Sequence, residues 1–233
     1  MQFNVIVGNP PYQGGDLDHA TYKSLWPLFW KKCIELCGPA GFVYLVTPTT
    51  WCSPTGDLAQ RDSINGETRL WNVFEKYTSH ANVTTIKKHF PGVGSTFGTV
   101  SVDLSGSDGL HFSDGQSSSL GFYPFSGADE VNSQLSKTNN LSERHHITNK
   151  TNSPYRVSVF KSRKVCEENV EIVKNGHQPL TGANPTLYVN ILVNTESEAI
   201  HVRNRVLECR DILNKHCRYN GFIDIKILGM ISN

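Results

Sequence analysis

The residues with the clearest chemical potential form one tetrapeptide, which follows an apolar run at residues 5–7 and a glycine. Its members are Asn9, Pro10, Pro11 and Tyr12. They bring together an amide oxygen, a backbone carbonyl, two rings that fix φ and one aromatic ring. This set suits the binding of an amino group on a planar π-system while its nitrogen attacks a methyl donor.

The exocyclic nitrogen of adenine illustrates that chemistry, because its lone pair is delocalised into the ring and attacks poorly. Two acceptors, the side-chain oxygen of Asn9 and the carbonyl of Pro10, can bind its two hydrogens and localise the pair. The consecutive prolines stiffen the loop, so the acceptors are arranged in advance. Tyr12 can stack on a base that has left the duplex. The alternative is a structural turn, with Asn9 as its cap and Tyr12 in the core.

The strand and tetrapeptide resemble the catalytic loop of amino-group methyltransferases that use S-adenosylmethionine. More narrowly, they are similar to N6-adenine DNA methyltransferases of restriction-modification systems and phages. Residues 38–48 resemble the end of one helix and the next sheet strand of that family, and residues 90–100 resemble a later hairpin. The resemblance covers residues 1–104 well, whereas residues 191–228 are only loosely similar to a C-terminal unit. It implies a DNA adenine as substrate and the tetrapeptide as the catalytic residues.

Apolar periodicity predicts the elements that position this loop. Residues 3–8 are expected to form a fully buried, central strand, followed by a helix over residues 21–37 that Pro27 kinks or restarts. Further strands are predicted at 42–46, 83–86 and 96–104, and a helix at 70–77. This alternation predicts an α/β fold with a partial Rossmann-like methyltransferase sheet, dominated by parallel strands.

Two aromatic residues are candidates for contact with the substrate base. Trp51 follows a predicted strand, and ligands bind beyond the carboxyl ends of strands in such sheets. Trp51 or Phe97 is therefore expected to close the second face of a base held by Tyr12. A partly buried loop tryptophan is an equally open interpretation of Trp51.

The rest of the chain differs in composition. Residues 105–185 are rich in Ser, Gly, Asn and Asp and are predicted to form a smaller, loop-rich, β-containing region for target recognition. Arg156, Lys161 and Arg163 are candidate phosphate contacts there, and a solvated face beside a small β-domain is the alternative. Residues 186–233 are predicted to form a strand (187–193), a helix (196–213) and a strand (222–228).

Composition limits the classes of function. The net charge is +1, from 22 Lys and Arg against 21 Asp and Glu, so any DNA contact needs a local patch or a partner. No apolar stretch reaches the roughly 18 residues of a membrane span, and no signal pattern is present. The six cysteines lack metal-type spacing, which predicts reduced thiols and no metal site. We expect a cytoplasmic protein of a bacterial or phage-infected cell.

The cofactor site that the resemblance implies is missing. Methyltransferases of this type bind S-adenosylmethionine with a Gly-rich loop and an acidic residue, and the pair Gly92 and Gly94 lacks the helix that should follow. Cofactor-binding residues therefore stay unknown. We expect a second chain or a homo-oligomer to complete the sheet and hold the cofactor, because half a sheet exposes a strand edge and an apolar face.

Three functional hypotheses remain open from the sequence. The first is a site-specific N6-adenine methyltransferase or a subunit of one, which the intact Asn9 favours. The second is a catalytically inactive protein derived from such an enzyme that binds DNA or assists assembly. The third is methyl transfer to RNA or to protein glutamine, since related tetrapeptides serve those substrates.

Overall fold

The computed structural model describes residues 2–14, 23–55, 69–83, 89, 97–115, 120–124, 127–179, 187–219 and 222–233. The chain forms two compact units, Met1–Ser117 and Ser118–Asn233. The sequence predicted three segments, divided after residues 104 and 185. In the structure, a strand beyond residue 185 shares one sheet with the strands of the preceding segment.

Unit 1 is an α/β unit built on one five-stranded sheet. Its elements are β1 (Phe3–Gly8), β2 (Gln13–Gly14), β3 (Lys23–Ser24), α1 (Trp26–Leu36), β4 (Cys37–Pro48), a 3-10 turn (Thr49–Cys52), α2 (Leu70–Glu75), β5 (Thr78–Asn82), β6 (Phe97–Asp103) and β7 (Gly109–Phe112). The strand order is β1-β4-β6-β5-β7. This architecture is compatible with a partial Rossmann-like methyltransferase sheet.

The sheet is mixed: β1, β4, β5 and β7 run in one direction, and β6 runs in the opposite direction. β1 is parallel to β4 and β5 is parallel to β7, whereas β6 is antiparallel to both of its neighbours. β1 lies at the edge, so the prediction of a central strand was wrong. The prediction of full burial was also wrong, because Val5 and Val7 are 58% and 69% exposed. Strand side chains project from the faces of a sheet, and Val5 and Val7 lie on the face where Phe42 and Tyr44 are also exposed. Among the described strands, β4 is the one that pairs with β1.

Other boundaries in unit 1 differ from the prediction for local reasons. The first helix begins at Trp26, and Pro27 lies in its first turn, where a missing N–H breaks no helical hydrogen bond. The helix is therefore not kinked. The strand predicted at 83–86 corresponds to β5, which ends at Asn82. Residues 84–86 lie outside the described part of the chain. Asp16 and Asp18, the candidate caps of the first helix, also lie outside it.

Unit 2 contains a second, antiparallel sheet with the order β10-β9-β11-β8. Its elements are α3 (Ala128–Gln134), α4 (Leu141–Arg144), β8 (His146–Thr148), β9 (Tyr155–Phe160), β10 (Val170–Lys174), β11 (Tyr188–Val193), α5 (Glu196–Glu208), α6 (Arg210–His216), β12 (Arg218–Tyr219), β13 (Phe222–Ile223) and α7 (Ile225–Gly229). Helix α5 packs on β9, β10 and β11 through buried Ala199, Val202 and Val206.

Two predictions for unit 2 need correction. The predicted helix 196–213 is two helices, because the chain leaves helical geometry at Cys209. The predicted strand 222–228 is strand only at β13 and then becomes α7. The Asp224 side chain accepts a hydrogen bond from the backbone N–H of Lys226 at 2.8 Å, which is an N-cap that starts the helix. Within the described part of the chain, no helix has the length and apolar character needed to cross a bilayer.

Candidate active site

The tetrapeptide follows β1 directly, at the carboxyl end of that strand. Gly8 pairs with Leu45 of β4, and the next three residues belong to neither helix nor strand. The backbone N–H of Leu25 donates to the carbonyl of Tyr12 at 3.0 Å, which ties the loop to the start of α1. A parallel strand and a helix start therefore hold the loop from both ends.

Asn9 and Tyr12 are joined by their side chains. The Tyr12 hydroxyl donates a hydrogen bond to Oδ1 of Asn9. Burial raises the pKa of Tyr12, so the hydroxyl stays protonated and remains a donor at neutral pH. A carboxamide oxygen has two lone pairs, so Asn9 keeps one acceptor position beside the one that Tyr12 uses. Within the described residues, no donor reaches the carbonyl of Pro10, which leaves the second predicted acceptor open.

Phe97 lies against the other aromatic ring of the site. The Tyr12 and Phe97 rings are stacked, with centroids 4.7 Å apart and planes 30° apart. At this distance no base fits between the rings, so Phe97 supports Tyr12. The sequence had instead predicted that Phe97 or Trp51 closes the opposite face of the base. A base would therefore stack on the face of Tyr12 that Phe97 leaves open.

A glycine next to Phe97 allows the strands to meet at this point. A Cβ on Gly98 would lie 2.7 Å from the carbonyl oxygen of Asn82, closer than real Cβ contacts. Gly98 therefore permits β5 to approach β6 where Phe97 begins the strand. Phe97 is 5% exposed and pairs with Pro48, so its ring has a fixed base on which Tyr12 rests.

Trp51 is a core residue. Its side chain is fully buried, and its ring centroid lies 5.9 Å from that of Trp71, 5.0 Å from Phe74 and 6.0 Å from Phe112. The 3-10 turn after β4 directs the ring inward, so no ring face is open to a base. The prediction that Trp51 forms a wall of the substrate site is therefore wrong in this structure.

Arg156 is not on a phosphate-binding surface. Only 1% of the residue is exposed, and its guanidinium donates to the carbonyl of His177 at 2.7 Å and to that of Thr151 at 3.4 Å. Burial lowers the pKa of Arg156. The alternation of β9 places Arg156 on the same face as Ser158, which donates to Oδ1 of Asn190 at 2.7 Å, and both faces of this strand are buried. Arg156 fixes loops, which corrects its predicted role.

Lys161 and Arg163 follow β9 and differ in exposure. Lys161 is half-buried, and burial lowers the pKa of its ammonium group. Arg163 is exposed, and its guanidinium carbon lies 4.6 Å from the ring centroid of Phe160. Of the three predicted phosphate contacts, Arg163 alone is fully available to solvent. The three residues therefore do not form one basic surface.

The two described segments that follow β1 and β4 do not fit S-adenosylmethionine. The segments after the parallel strands β1 and β4, residues 9–14 and 49–55, contain no carboxylate that could hold ribose hydroxyls. They also contain no Gly-rich turn that leads into a helix. No group of three metal-ligating side chains is found among the described residues either.

An exposed apolar surface lies beside the tetrapeptide strand. Val5 pairs with Phe42 and Val7 pairs with Tyr44, so these four side chains share one face of the sheet. Phe42 and Tyr44 are 38% and 37% exposed, in addition to the exposed valines. We call this set the β1 surface. Among the described residues, it combines a strand edge with no partner strand and an apolar face that is exposed.

Comparison with known proteins places the tetrapeptide in a matched segment. Residues 1–79 match the family model for the Eco57I restriction-modification methylase. The match spans 79 of the 233 residues, from β1 into β5. No curated protein matches the chain. At a coarse level, the family match supports a methyltransferase of the restriction-modification type.

Proposed function

We propose that this chain is the substrate-binding part of a site-specific DNA methyltransferase that modifies the N6 amino group of adenine. The observation that carries the proposal is the pair Asn9 and Tyr12, joined by a hydrogen bond at the end of a parallel strand inside the family-matched segment. The setting we propose is a restriction-modification or phage system in the bacterial cytoplasm.

The site's own residues suggest how the target base would be held. The free lone pair of Asn9 Oδ1 and the carbonyl of Pro10 accept the two hydrogens of the amino group, and positive charge on the nitrogen then develops between two fixed acceptors. The base stacks on the open face of Tyr12, while Phe97 prevents the ring from retreating. The Tyr12 hydroxyl keeps the Asn9 carboxamide oriented. We assign Asn9 and Pro10 as catalytic residues, Tyr12 as the stacking residue and Pro11 as a backbone constraint.

We propose S-adenosylmethionine as the methyl donor, held mainly by another polypeptide segment. The β1 surface supports a partner rather than self-assembly alone. Two copies joined edge to edge about a two-fold axis normal to the sheet pair their β1 strands and leave Phe42 and Tyr44 exposed. Two copies joined face to face cover those side chains and leave both edges unpaired. A partner that adds a strand beside β1 and a helix over Val7 and Tyr44 satisfies both requirements.

The isolated chain is expected to bind S-adenosylmethionine only weakly. The reason is that the segments after β1 and β4 lack a carboxylate and a Gly-rich turn. Isothermal titration calorimetry of the purified chain should show no saturable heat at micromolar ligand. Micromolar affinity for the chain alone would contradict this expectation and would place a cofactor site within it.

Replacing apolar side chains of the β1 surface with polar ones is expected to remove most of the binding of an anilinonaphthalene sulfonate dye to the isolated chain. The double variant Val7→Lys with Tyr44→Ser places charge and polarity on the exposed apolar face. Dye fluorescence is the measurement. The matched control is Ile200→Lys, which alters another exposed apolar side chain, 48% exposed on α5. An equal loss of fluorescence in both variants would show that the dye does not bind preferentially to the β1 surface.

Tyr12→Ala is expected to weaken binding of the target base by about 1–3 kcal/mol, the usual worth of a base–aromatic stack. Tyr12→Phe should keep that stack and lose only the hydroxyl that orients Asn9. The measurement is fluorescence titration with oligonucleotides that carry 2-aminopurine in place of adenine. If the Phe variant binds as weakly as the Ala variant, the ring does not act by stacking.

The described segments after β1 and β4 lack a carboxylate and a Gly-rich turn, which favours a second candidate, a catalytically inactive protein that binds DNA or assists assembly. The two candidates differ in one result. If the chain folds and assembles yet no assembly transfers a methyl group to DNA, RNA or protein glutamine, the inactive form is the correct one. Methyl transfer to RNA or glutamine alone would keep the chemistry and change the substrate.

A further inference from the structure

Unit 2 contains a cavity of about 580 Å³ between α4, β8 and α7. That volume lies in the usual range for small-ligand sites. Its lining includes the apolar residues Ile147, Ile225 and Met230 and the basic residues Lys137, His146 and Lys226. A lining that combines apolar and basic side chains suits an organic anion.

The walls of the cavity are held by internal hydrogen bonds. Asn140 is 2% exposed, its Oδ1 accepts from Ser142 Oγ at 2.7 Å, and its Nδ2 donates to the carbonyl of Ser136 at 2.9 Å. The N–H of Ser136 donates to the carbonyl of Met230 at 2.7 Å. The segment before α4 and the segment after α7 are therefore bound to each other, and the cavity is formed before any ligand arrives.

Gly229 allows α7 to pack closely against α4 and β8 at the wall of the cavity. A Cβ on Gly229 would lie 3.1 Å from Cβ of Ser142 and 3.2 Å from Cδ1 of Ile147. Both distances are tighter than nearly all real Cβ contacts, so the absence of a side chain lets the end of α7 pack onto α4 and β8. This packing brings Lys226 of α7 to the same cavity as Lys137.

The charge of the lining has one sign. None of the lining side chains is a carboxylate. The nearby acids have partners of their own: Glu143 Oε2 accepts from the N–H of Asn139 at 2.8 Å, and Asp224 Oδ1 accepts from the backbone N–H of Lys226 at 2.8 Å. Glu198 accepts from the N–H of Asn194 at 2.8 Å and lies 3.8 Å from Nδ1 of His145, which is itself a lining residue. Among the described residues, Lys137 and Lys226 therefore line the cavity with no carboxylate on the same lining.

We propose that this cavity binds the phosphate group of a nucleotide, with Lys137 and Lys226 on the phosphate and the sugar or base against the apolar residues of the lining. The same chemistry is offered by a free mononucleotide and by the phosphodiester backbone of a nucleic acid. The site lies outside the family-matched segment, and it uses no residue of the tetrapeptide. It therefore stands or falls independently of methyl transfer.

The test is binding to the full chain, with no methylation readout. Calorimetry with deoxyadenosine monophosphate, inorganic phosphate and deoxyadenosine separates the contribution of the phosphate, and fluorescence anisotropy with labelled single-stranded and duplex oligonucleotides tests the polymer. We expect the double variant Lys137→Ala with Lys226→Ala to weaken binding of the phosphate-bearing probes about tenfold or more, since two charge-assisted contacts are lost. The conservative pair Lys137→Arg with Lys226→Arg should retain binding.

The matched control is Lys164→Ala with Lys215→Ala, which removes two exposed lysines of the same unit that do not line the cavity. It should bind as the unchanged protein does. The two alanine double variants should have the same circular dichroism and thermal melting. Loss of mononucleotide binding alone would identify a free nucleotide as the ligand, and loss of oligonucleotide binding alone would identify a backbone contact. The proposal would be overturned if the two alanine double variants lost equal affinity for the phosphate-bearing probes, or if no phosphate-bearing probe bound. It would also be overturned if deoxyadenosine bound as tightly as deoxyadenosine monophosphate.

Discussion

Asn9→Ala is expected to lower adenine methylation by the complete assembly by roughly 100- to 1000-fold, the usual effect of deleting one oriented hydrogen bond at a reacting centre. The variant removes the side-chain acceptor and leaves the Pro10 carbonyl in place. Asn9 is exposed, and its described side-chain bond is to the neighbouring Tyr12, so folding and assembly should be unchanged. The measurement is incorporation of labelled methyl groups into adenine-containing duplex DNA by the complex with a cofactor-binding partner.

Two further variants sharpen this experiment. Asn9→Asp keeps an acceptor oxygen at the same position and should retain more activity than Asn9→Ala. Asn132→Ala, an exposed asparagine of α3 in unit 2, controls for the general effect of an Asn-to-Ala change. Equal methylation by the unchanged and Asn9→Ala complexes would place the chemistry elsewhere in the assembly.

The α/β class of unit 1 and the strand before the tetrapeptide were predictable because their signals are local. An apolar run that ends in glycine and two prolines must stop as a strand and turn, whatever surrounds it. The edge position of β1 was not predictable in this way, since Val5 and Val7 have the same side chains whether or not a neighbour covers them. Edge or centre is decided by which other segments are present, and this information is not in residues 3–8.

The errors at Trp51 and Arg156 have a different origin. Both residues were assigned to surfaces because of their type, an aromatic ring for bases and a guanidinium for phosphates. The packing around each side chain decides its role: the turn after β4 directs Trp51 into the core, and β9 is buried on both faces, which leaves Arg156 no exposed face. Lys137 and Lys226 show the converse. They are far apart in sequence and ordinary in type, and only the packing of α7 on α4 brings them to one cavity.

Trp51→Ala is expected to destabilise unit 1 by about 3–5 kcal/mol, the typical cost of removing a large aromatic side chain from a core. The ring fills the space between Trp71, Phe74 and Phe112, and neighbours of that size cannot close the cavity without leaving their own contacts. Trp51→Phe should cost less, because a phenyl ring keeps part of the packing. Chemical denaturation followed by tryptophan fluorescence is the measurement, and it reports on unit 1 because all four tryptophans of the chain lie there.

The same variant decides between the two interpretations of Trp51. If Trp51 is a core residue, the variant is less stable and, under conditions where it is folded, binds 2-aminopurine oligonucleotides as the unchanged protein does. If Trp51 is a wall of the base site, the variant has normal stability and weaker oligonucleotide binding. Phe222→Ala, which removes a side chain that is 48% exposed in unit 2, is the matched control and should leave unit 1 unfolding unchanged. Because Trp51 has no exposed surface, we expect the stability result, with Tyr12 left as the aromatic platform of the site.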